Sequence, residues 1–402
     1  MDPKLDDARK LFLQGIDHFE AGRLEQARSA FEASLACAPG RPSVLGNLGI
    51  TLFHLGRMEE AAPMLRQVTA ADPDHAEAWT CLGLAHEARA QWREAVDALR
   101  RAAQLSPQKA QLWFRSAQCL MRLGRVDEAL QAYDRALAAA PEFADAWSAR
   151  GSLMREIHRL DEAAQCFEKA LACGGDPELN RYYLASVKGA NSVPAPPRRY
   201  VESLFDDYAA EFQSHLVGQL RYQGYERLLR PLVDSGRRFR RALDLGCGTG
   251  LCGPLLHSVA DVLDGVDISQ AMLDQSRRLG VYRQLIHADI GAFLKTAEES
   301  ADLVVAADVF VYVGDLSAVF RSVHRILAPA GRFAFTVETP IGGEDMRLLP
   351  SLRYAHSERY VRRLADTCGF TVDEMFGAPI RYDQAKPVEG LYVYLSRGAM
   401  DS

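Results

Sequence analysis

Five alanines, Ala27, Ala61, Ala95, Ala129 and Ala163, stand 34 residues apart. A fixed period of this length means stacked copies of one small unit, because a unit of that size cannot bury its own apolar face. Other columns keep the same phase. Gly15, Gly49, Gly83 and Gly151 align, with Ala117 in the fourth place, where two helices of a hairpin must approach closely. Phe31, Leu65, Leu99, Tyr133 and Phe167 form an apolar column on the second helix. Pro39, Pro73, Pro107 and Pro141 follow it where that helix has to stop. Trp79, Trp113 and Trp147 share another column and read, like the alanines, as packing residues with no catalytic part.

These columns resemble the tetratricopeptide repeat, a helix-turn-helix unit of the same length that stacks into a superhelix. The resemblance covers the first 177 residues and implies an all-α solenoid with a concave binding face. In the repeat frame that face carries Phe12, Ile16, Phe19, Phe53 and His54 early, and Gln118, Arg122, Ser152 and Arg155 late. It is apolar at one end and polar at the other. The cations by which some members grip a terminal carboxylate are missing, since Glu77 and Cys81 stand in their places. A protein or peptide in the groove is the expected partner, and assembly into a homo-oligomer is the alternative. Pro177 to Lys188 reads as a capping helix and Asn191 to Pro197 as a short, semi-stiff linker. The domains expected are therefore 1–190, the repeats with their cap, and 199–402, joined by 191–198.

Composition narrows the classes. With 48% hydrophobic and 25% charged residues over 402 positions, the chain is long enough for two ordinary cores. It has no apolar run near the roughly 20 residues of a membrane span, and its acidic start, Met-Asp-Pro-Lys-Leu-Asp-Asp, lacks the pattern of a secretory leader. A cytoplasmic protein without a membrane partner is expected. Eight cysteines show neither Cys-x-x-Cys pairs nor zinc spacing, so no metal site is expected. A net charge of −6 without a basic block argues against nucleic acid as a partner.

From Arg241 onward, short aliphatic runs alternate with helical stretches, which predicts a parallel sheet covered on both faces with ligands at the strands' carboxyl ends. The first run ends in Asp244-Leu-Gly246-Cys247-Gly248-Thr-Gly250. Three positions without a β-carbon allow a tight turn that brings backbone close to a ligand. The third glycine comes one residue too early for a dinucleotide loop, and no Gly-Lys-Ser/Thr element follows for a nucleoside triphosphate. Asp267 ends the second strand, Asp289 follows the third and Asp308 the fourth. In this order and spacing, residues 200–398 resemble the class I S-adenosylmethionine-dependent methyltransferases. The whole chain resembles bacterial methyltransferases fused to tetratricopeptide repeats.

The resemblance implies a Rossmann-like α/β fold on a seven-stranded sheet with S-adenosylmethionine as cofactor. It places Asp244 and the backbone of Gly246 and Gly248 toward the methionine part and Asp267 toward the ribose, with Cys247 and Gly250 also among the cofactor-binding residues. Asp289 would meet the adenine amino group, and Ile268, Met272 and Ile290 the adenine faces. Each has a plainer alternative: Asp267 with Ser269 as a helix cap, Asp289 as a loop carboxylate, the cysteines as packing. The segment Phe205 to Leu216 resembles a lid helix with Tyr208 as its cofactor residue; the alternative is an amphipathic helix packed on the sheet.

Methyl transfer demands alignment first, and a base where the nucleophile carries a proton. His356 and Asp308 are the candidate catalytic residues, with His215 and Glu338 as further bases; Glu338, His356 and Arg381 all fall near the sheet's carboxyl edge. The fourth strand runs into Asp308-Val-Phe310-Val-Tyr312, without the Asn/Asp-Pro-Pro-Tyr/Phe element of nucleobase amino methylation. The reading is therefore methyl transfer to an oxygen or nitrogen acceptor recruited by the repeats. A small-molecule enzyme with an assembling array, and a non-catalytic scaffold, are the alternatives.

Overall fold

The computed structural model describes residues 3–189, 195–213, 222–298, 300–383 and 386–398, apart from the side chains of 207–213 and 383. The chain divides into two compact units, Met1–Gly175 and Asp176–Ser402.

The described part of the first unit is a run of helix pairs: Pro3–Glu20 with Leu24–Cys37, Pro42–His54 with Met58–Ala71, Ala76–Ala88 with Trp92–Leu105, Ala110–Arg122 with Val126–Ala139, and Ala144–Glu156 with Leu160–Ala172. The 34-residue columns account for their packing. All five alanines of the leading column are fully buried. A β-carbon built on Gly83 would lie 2.7 Å from Leu99 Cγ, and one on Gly151 2.7 Å from Phe167 Cε1. Two columns of the sequence are thus the two sides of one contact. Trp79 and Trp147 donate their indole N–H to the carbonyls of Pro73 and Pro141, at 3.0 and 2.8 Å. The tryptophan therefore ties the start of its helix to the loop before it.

A further column emerges from the backbone. Gly22, Gly56, Ala90, Gly124 and His158 close the turn inside each pair with φ of 71°, 75°, 55°, 69° and 61°. Glycine takes this left-handed conformation at no steric cost, whereas alanine and histidine do not.

In the second unit the strands are β1 (Phe239–Leu245), β2 (Ala260–Asp267), β3 (Gln284–His287), β4 (Ala301–Ala306), β5 (Leu327–Glu338), β6 (Met346–Leu348), β7 (Tyr354–His356), β8 (Phe370–Asp383) and β9 (Lys386–Arg397). Strands β3-β2-β1-β4-β5 are parallel, β9 pairs antiparallel with β5, and β8 antiparallel with β9. This is the expected α/β sheet of seven strands. The β6–β7 hairpin is an addition, joined to the carboxyl end of β5 where Glu338 pairs with Ala355. Apolar clusters cover both faces, one around Phe310, Phe320, Phe333 and Phe335, the other around Leu228, Leu256, Leu263 and Tyr392. Asp264 is fully buried in β2 between Arg241 and Arg283, each within 2.7 Å of its Oδ2. No helix among the described residues is long and apolar enough to cross a membrane.

One boundary differs from the sequence reading. Helix Pro177–Lys188, expected to cap the repeats within 1–190, belongs to the second unit. Tyr182 is buried there with Leu348, Leu352 and Tyr354, and its hydroxyl donates to the Leu352 carbonyl at 2.6 Å. An amphipathic helix shows that it needs a cover but not which surface supplies it. The expected linker lies partly outside the described residues, which resume at Ala195.

Two substitutions test the columns by urea unfolding followed by tryptophan fluorescence, which reads the first unit alone because Trp79, Trp92, Trp113 and Trp147 are the chain's four tryptophans. Ala90→Gly, relieving the left-handed alanine, raises stability by about 1 kcal/mol. Gly83→Val, forcing a side chain into Leu99, lowers it by about 1–3 kcal/mol.

Candidate functional site

The parallel strands deliver their loops to one edge, and there a cavity of about 640 Å³ opens. Its floor is the turn after β1. Gly246, Gly248 and Gly250 all have positive φ, at 66°, 53° and 87°, but for different reasons. A β-carbon on Gly246 would meet Val309 at 2.6 Å, and one on Gly250 would meet Leu279 at 2.6 Å. Gly248 has nothing within 4 Å of that position and lines the cavity. Packing thus fixes two of the glycines, and the middle one leaves backbone open to a ligand.

Asp267, at the end of β2, is buried and closes this floor. Its Oδ2 accepts from the Gly248 amide at 2.8 Å and its Oδ1 from the Ser269 amide at 2.9 Å. Burial pushes its pKa up, and those backbone N–H groups oppose the shift. A carboxylate has about four acceptor positions, so the Gly248, Ser269 and Ile268 amides leave acceptor capacity toward the cavity that Asp267 lines. Ile268, Met272, Ile290 and Cys247 line the same cavity, as does Asp289, whose Oδ1 also caps helix Ile290–Thr296 through the Ala292 amide at 2.8 Å. For Asp267 and Asp289 the capping and lining roles coexist.

Asp244 does not reach the cavity wall. It is buried below the turn, where the Tyr282 hydroxyl donates to its Oδ2 at 2.7 Å. Burial pushes its pKa up to about 7, opposed by Tyr282 and aided by the nearby Asp267 charge. Gly250 also stands outside the wall, as a packing residue. Burial raises the Cys247 and Cys252 thiols well above the ordinary range, which makes both packing residues and neither a nucleophile.

Helix Arg198–Gln213 forms another wall. Asp206 accepts from Ser269 Oγ at 2.5 Å, and Phe205 meets the Tyr312 ring edge-on at 5.2 Å. Val201 and Phe205 line the cavity. The Tyr208 side chain and all of His215 lie outside the described residues. Tyr222 and Tyr225, which sequence reasoning missed, complete this side.

The remaining wall carries charge. Asp308 has a left-handed backbone, φ 58°, and its amide donates to Thr336 Oγ1 at 2.8 Å. Burial pushes its pKa up to about 6, against the Arg353 charge. The Arg381 guanidinium grips both its oxygens, at 2.9 and 3.1 Å. Arg381 also bridges to Glu338, which lies 3.5 Å from Arg353 Nη1. The edge position expected for Glu338 and Arg381 is therefore realised as an ion network, whereas Arg353, unsingled in the sequence, is the member that lines the cavity together with Asp308.

His356 is a correction to the sequence reading. It lies in β7 with no exposed surface and outside the cavity wall, its Nε2–H donating to the Gly314 carbonyl at 2.7 Å. Nδ1 is buried with no partner. Burial drives the pKa down to about 4, so the ring is neutral and positioned as core. A base lowered in the folded state stabilises fully above its ordinary value near 6.5 and loses that contribution as pH falls toward 4, here about 3 kcal/mol. Histidine-labelled NMR should accordingly find the His356 ring neutral, with the proton on Nε2, from pH 8 to pH 5. A midpoint near 6.5 would instead place it in contact with water.

Comparisons with known proteins agree with this geometry. Residues 243–335 match the family described as a methyltransferase domain. Residues 18–84 and 88–153, and in a second family 59–110, match tetratricopeptide repeats. The chain thus carries matches to tetratricopeptide repeats followed by a match to a methyltransferase domain.

Two curated relatives show how reactions vary around such a domain. An arginine-hydroxylase NDUFAF5, mitochondrial, of Danio rerio is 32% identical over 182 residues, 44% of this chain and 53% of that protein. A malonyl-acyl-carrier protein O-methyltransferase of Legionella pneumophila is 31% identical over 156 residues, 34% of this chain and 54% of that protein. The chain thus spans about half the length of these relatives. Among solved structures, magnesium protoporphyrin IX methyltransferase from Synechocystis PCC 6803 with bound SAH is similar at 18% identity and a TM-score of 0.40, over 50% of this chain and 99% of that one. MamA is similar at 28% identity and a TM-score of 0.38, over 40% of this chain and 93% of that one.

Proposed function

We propose that the second unit binds S-adenosylmethionine in the cavity and transfers its methyl group to an oxygen or nitrogen nucleophile, and that the repeats recruit the protein, peptide or carrier-bound molecule bearing it. The observation that carries the reading is Gly248, whose backbone is open to the cavity at the point where Asp267 also meets it. When bound, the cofactor supplies a methyl group made electrophilic by its sulfonium. Asp267 would hold the ribose diol with its remaining acceptor positions, Ile268, Met272 and Ile290 would cover the adenine, and Asp289 would accept from its amino group. The glycine turn would take the methionine part. Val201, Phe205 and Tyr222 form apolar walls that exclude water from the reacting centre.

The named activity of the Legionella relative, O-methylation of a carrier-borne acyl group, supports an oxygen acceptor delivered by a protein. The Danio relative's name, a hydroxylase, makes the cofactor the point to test first. Calorimetric titration of S-adenosylmethionine into the full chain should give binding that Asp267→Ala weakens by about tenfold or more, the loss expected when a hydrogen-bonded carboxylate is removed. No binding by the folded wild-type chain would remove the methyltransferase reading and leave the scaffold.

A further inference from the structure

The cavity does not end at Asp289. Helix Ile290–Thr296, which starts there, lines it with Gly291 and Ala292 from the first turn and with Leu294 and Lys295 from the second. At the rise of an α-helix, the wall from Asp289 to Lys295 continues for roughly 9 Å. Helix Ser317–Ile326 supplies the facing wall through Ala318, Val319 and Ser322. Leu294 and Val319 are buried yet line this extension, so they form its apolar floor. Ala292, Lys295 and Ala318 are exposed, and its outer end therefore opens to solvent.

The gap between the two helices is preformed, as ligand sites commonly are, because both helices are fixed at both ends. Asp289 Oδ1 accepts from the Ala292 amide at 2.8 Å and starts the first helix. Asp315 Oδ1 accepts from the Ser317 amide at 2.9 Å and from the Tyr360 hydroxyl at 3.0 Å, and so fixes the start of the second. At the far end the Arg325 guanidinium donates to the Leu294 carbonyl at 2.6 Å and to the Ala297 carbonyl at 2.8 Å. The helices are thus pinned together beyond the extension, while Gly291, Ala292, Ala318 and Ser322, all small, flank it where it meets the cavity.

We propose that this extension is a binding site for a flat apolar group carried on the adenine amino nitrogen, so that the cavity takes N6-monosubstituted adenine nucleosides as well as the unsubstituted cofactor; this rests on the reading above that places adenine beside Asp289. The amino group has two N–H bonds. Asp289 engages one, and a substituent in place of the other enters the gap and exchanges water for Leu294 and Val319. A second substituent on the same nitrogen would remove the N–H that Asp289 needs, which restricts the class to monosubstituted amines. Ala318 and Ser322, one turn apart and therefore on one face of their helix, set the size that is admitted.

The test is calorimetric titration of the full chain with three probes: S-adenosylhomocysteine, its N6-benzyl derivative, and the derivative with both benzyl and methyl on that nitrogen. The benzyl derivative should bind severalfold more tightly than S-adenosylhomocysteine, and the added methyl should weaken it by about tenfold. Ala318→Phe, which fills the gap, should lower the affinity of the benzyl derivative about tenfold and leave that of S-adenosylhomocysteine unchanged, which also shows that the variant is folded. Ser322→Leu should act in the same way from the neighbouring turn. A benzyl derivative that binds no more tightly than S-adenosylhomocysteine overturns the proposal, as does equal affinity for the mono- and disubstituted forms or a benzyl preference that survives both substitutions. In those cases the cofactor reading stands, because S-adenosylhomocysteine binds. Failure of S-adenosylhomocysteine itself to bind overturns the cofactor reading and this inference together.

Discussion

The second unit is organised by the way the chain turns after β1. The Gly246 and Cys247 amides both donate to the Val266 carbonyl, at 2.7 and 3.0 Å, and the Gly248 amide to the Asp267 carboxylate. Three consecutive donors of the turn are thus satisfied by the end of β2, which fixes the floor of the cavity without any ligand. Only residues lacking a β-carbon allow it, because Val309 and Leu279 press on the turn from either side. Val309 directly follows Asp308, so the same contact that holds the glycine turn also places the charged wall. Floor and wall are therefore set by one packing arrangement.

The two units differ in how far their sequences could be read, and the range of their contacts explains it. Gly83 meets Leu99 sixteen residues away within one helix pair, and the relation recurs, so a column shows it. The place of Asp267 at the end of β2 was legible for a similar reason, since strand and helix alternate and the end of a strand has a fixed place in the sheet. Asp244 was not, because its partner is Tyr282, 38 residues on and across β2. Arg353 and His356 stand three residues apart on either side of the start of a three-residue strand. Which of them faces a cavity depends on the β6–β7 hairpin and on helix Pro177–Lys188 packed against it. Hydrophobic periodicity over so short a strand carries no such information, and histidine's chemistry suggested a role that its burial removes.

Buried charge is treated in two ways. Asp264, in β2, is enclosed by Arg241 of β1 and by Arg283 just before β3, and has no exposed surface of its own. Removing both arginines would leave the Asp264 charge uncompensated in the core, which is far more costly than the net worth of the intact group. The network of Asp308, Glu338, Arg381 and Arg353, two carboxylates with two guanidiniums, is balanced in charge, yet it is graded. Arg381 is sealed and Arg353 is partly open. A sealed cation fixes the wall, and an open one can exchange part of its bonding for a ligand.

Backbone strain follows the same division. Among the described residues, the non-glycine positions with positive φ are Ala90, His158, Asp308, Ala330 and Leu352. Ala90 and His158 fall in the turn column that glycine fills in the other repeats, so their strain belongs to the hairpin and would vanish with glycine. Asp308 and Leu352 are different in kind. One is itself a member of the ion network, and the other immediately precedes Arg353. Glycine at either place would ease the backbone, but it would delete a carboxylate in the first case and an apolar anchor buried beside Tyr182 in the second. The side chains keep the strain there because they are needed on the spot. Two strained residues from separate loops, converging on one wall of one cavity, mark that wall as the part of the fold shaped by something other than stability.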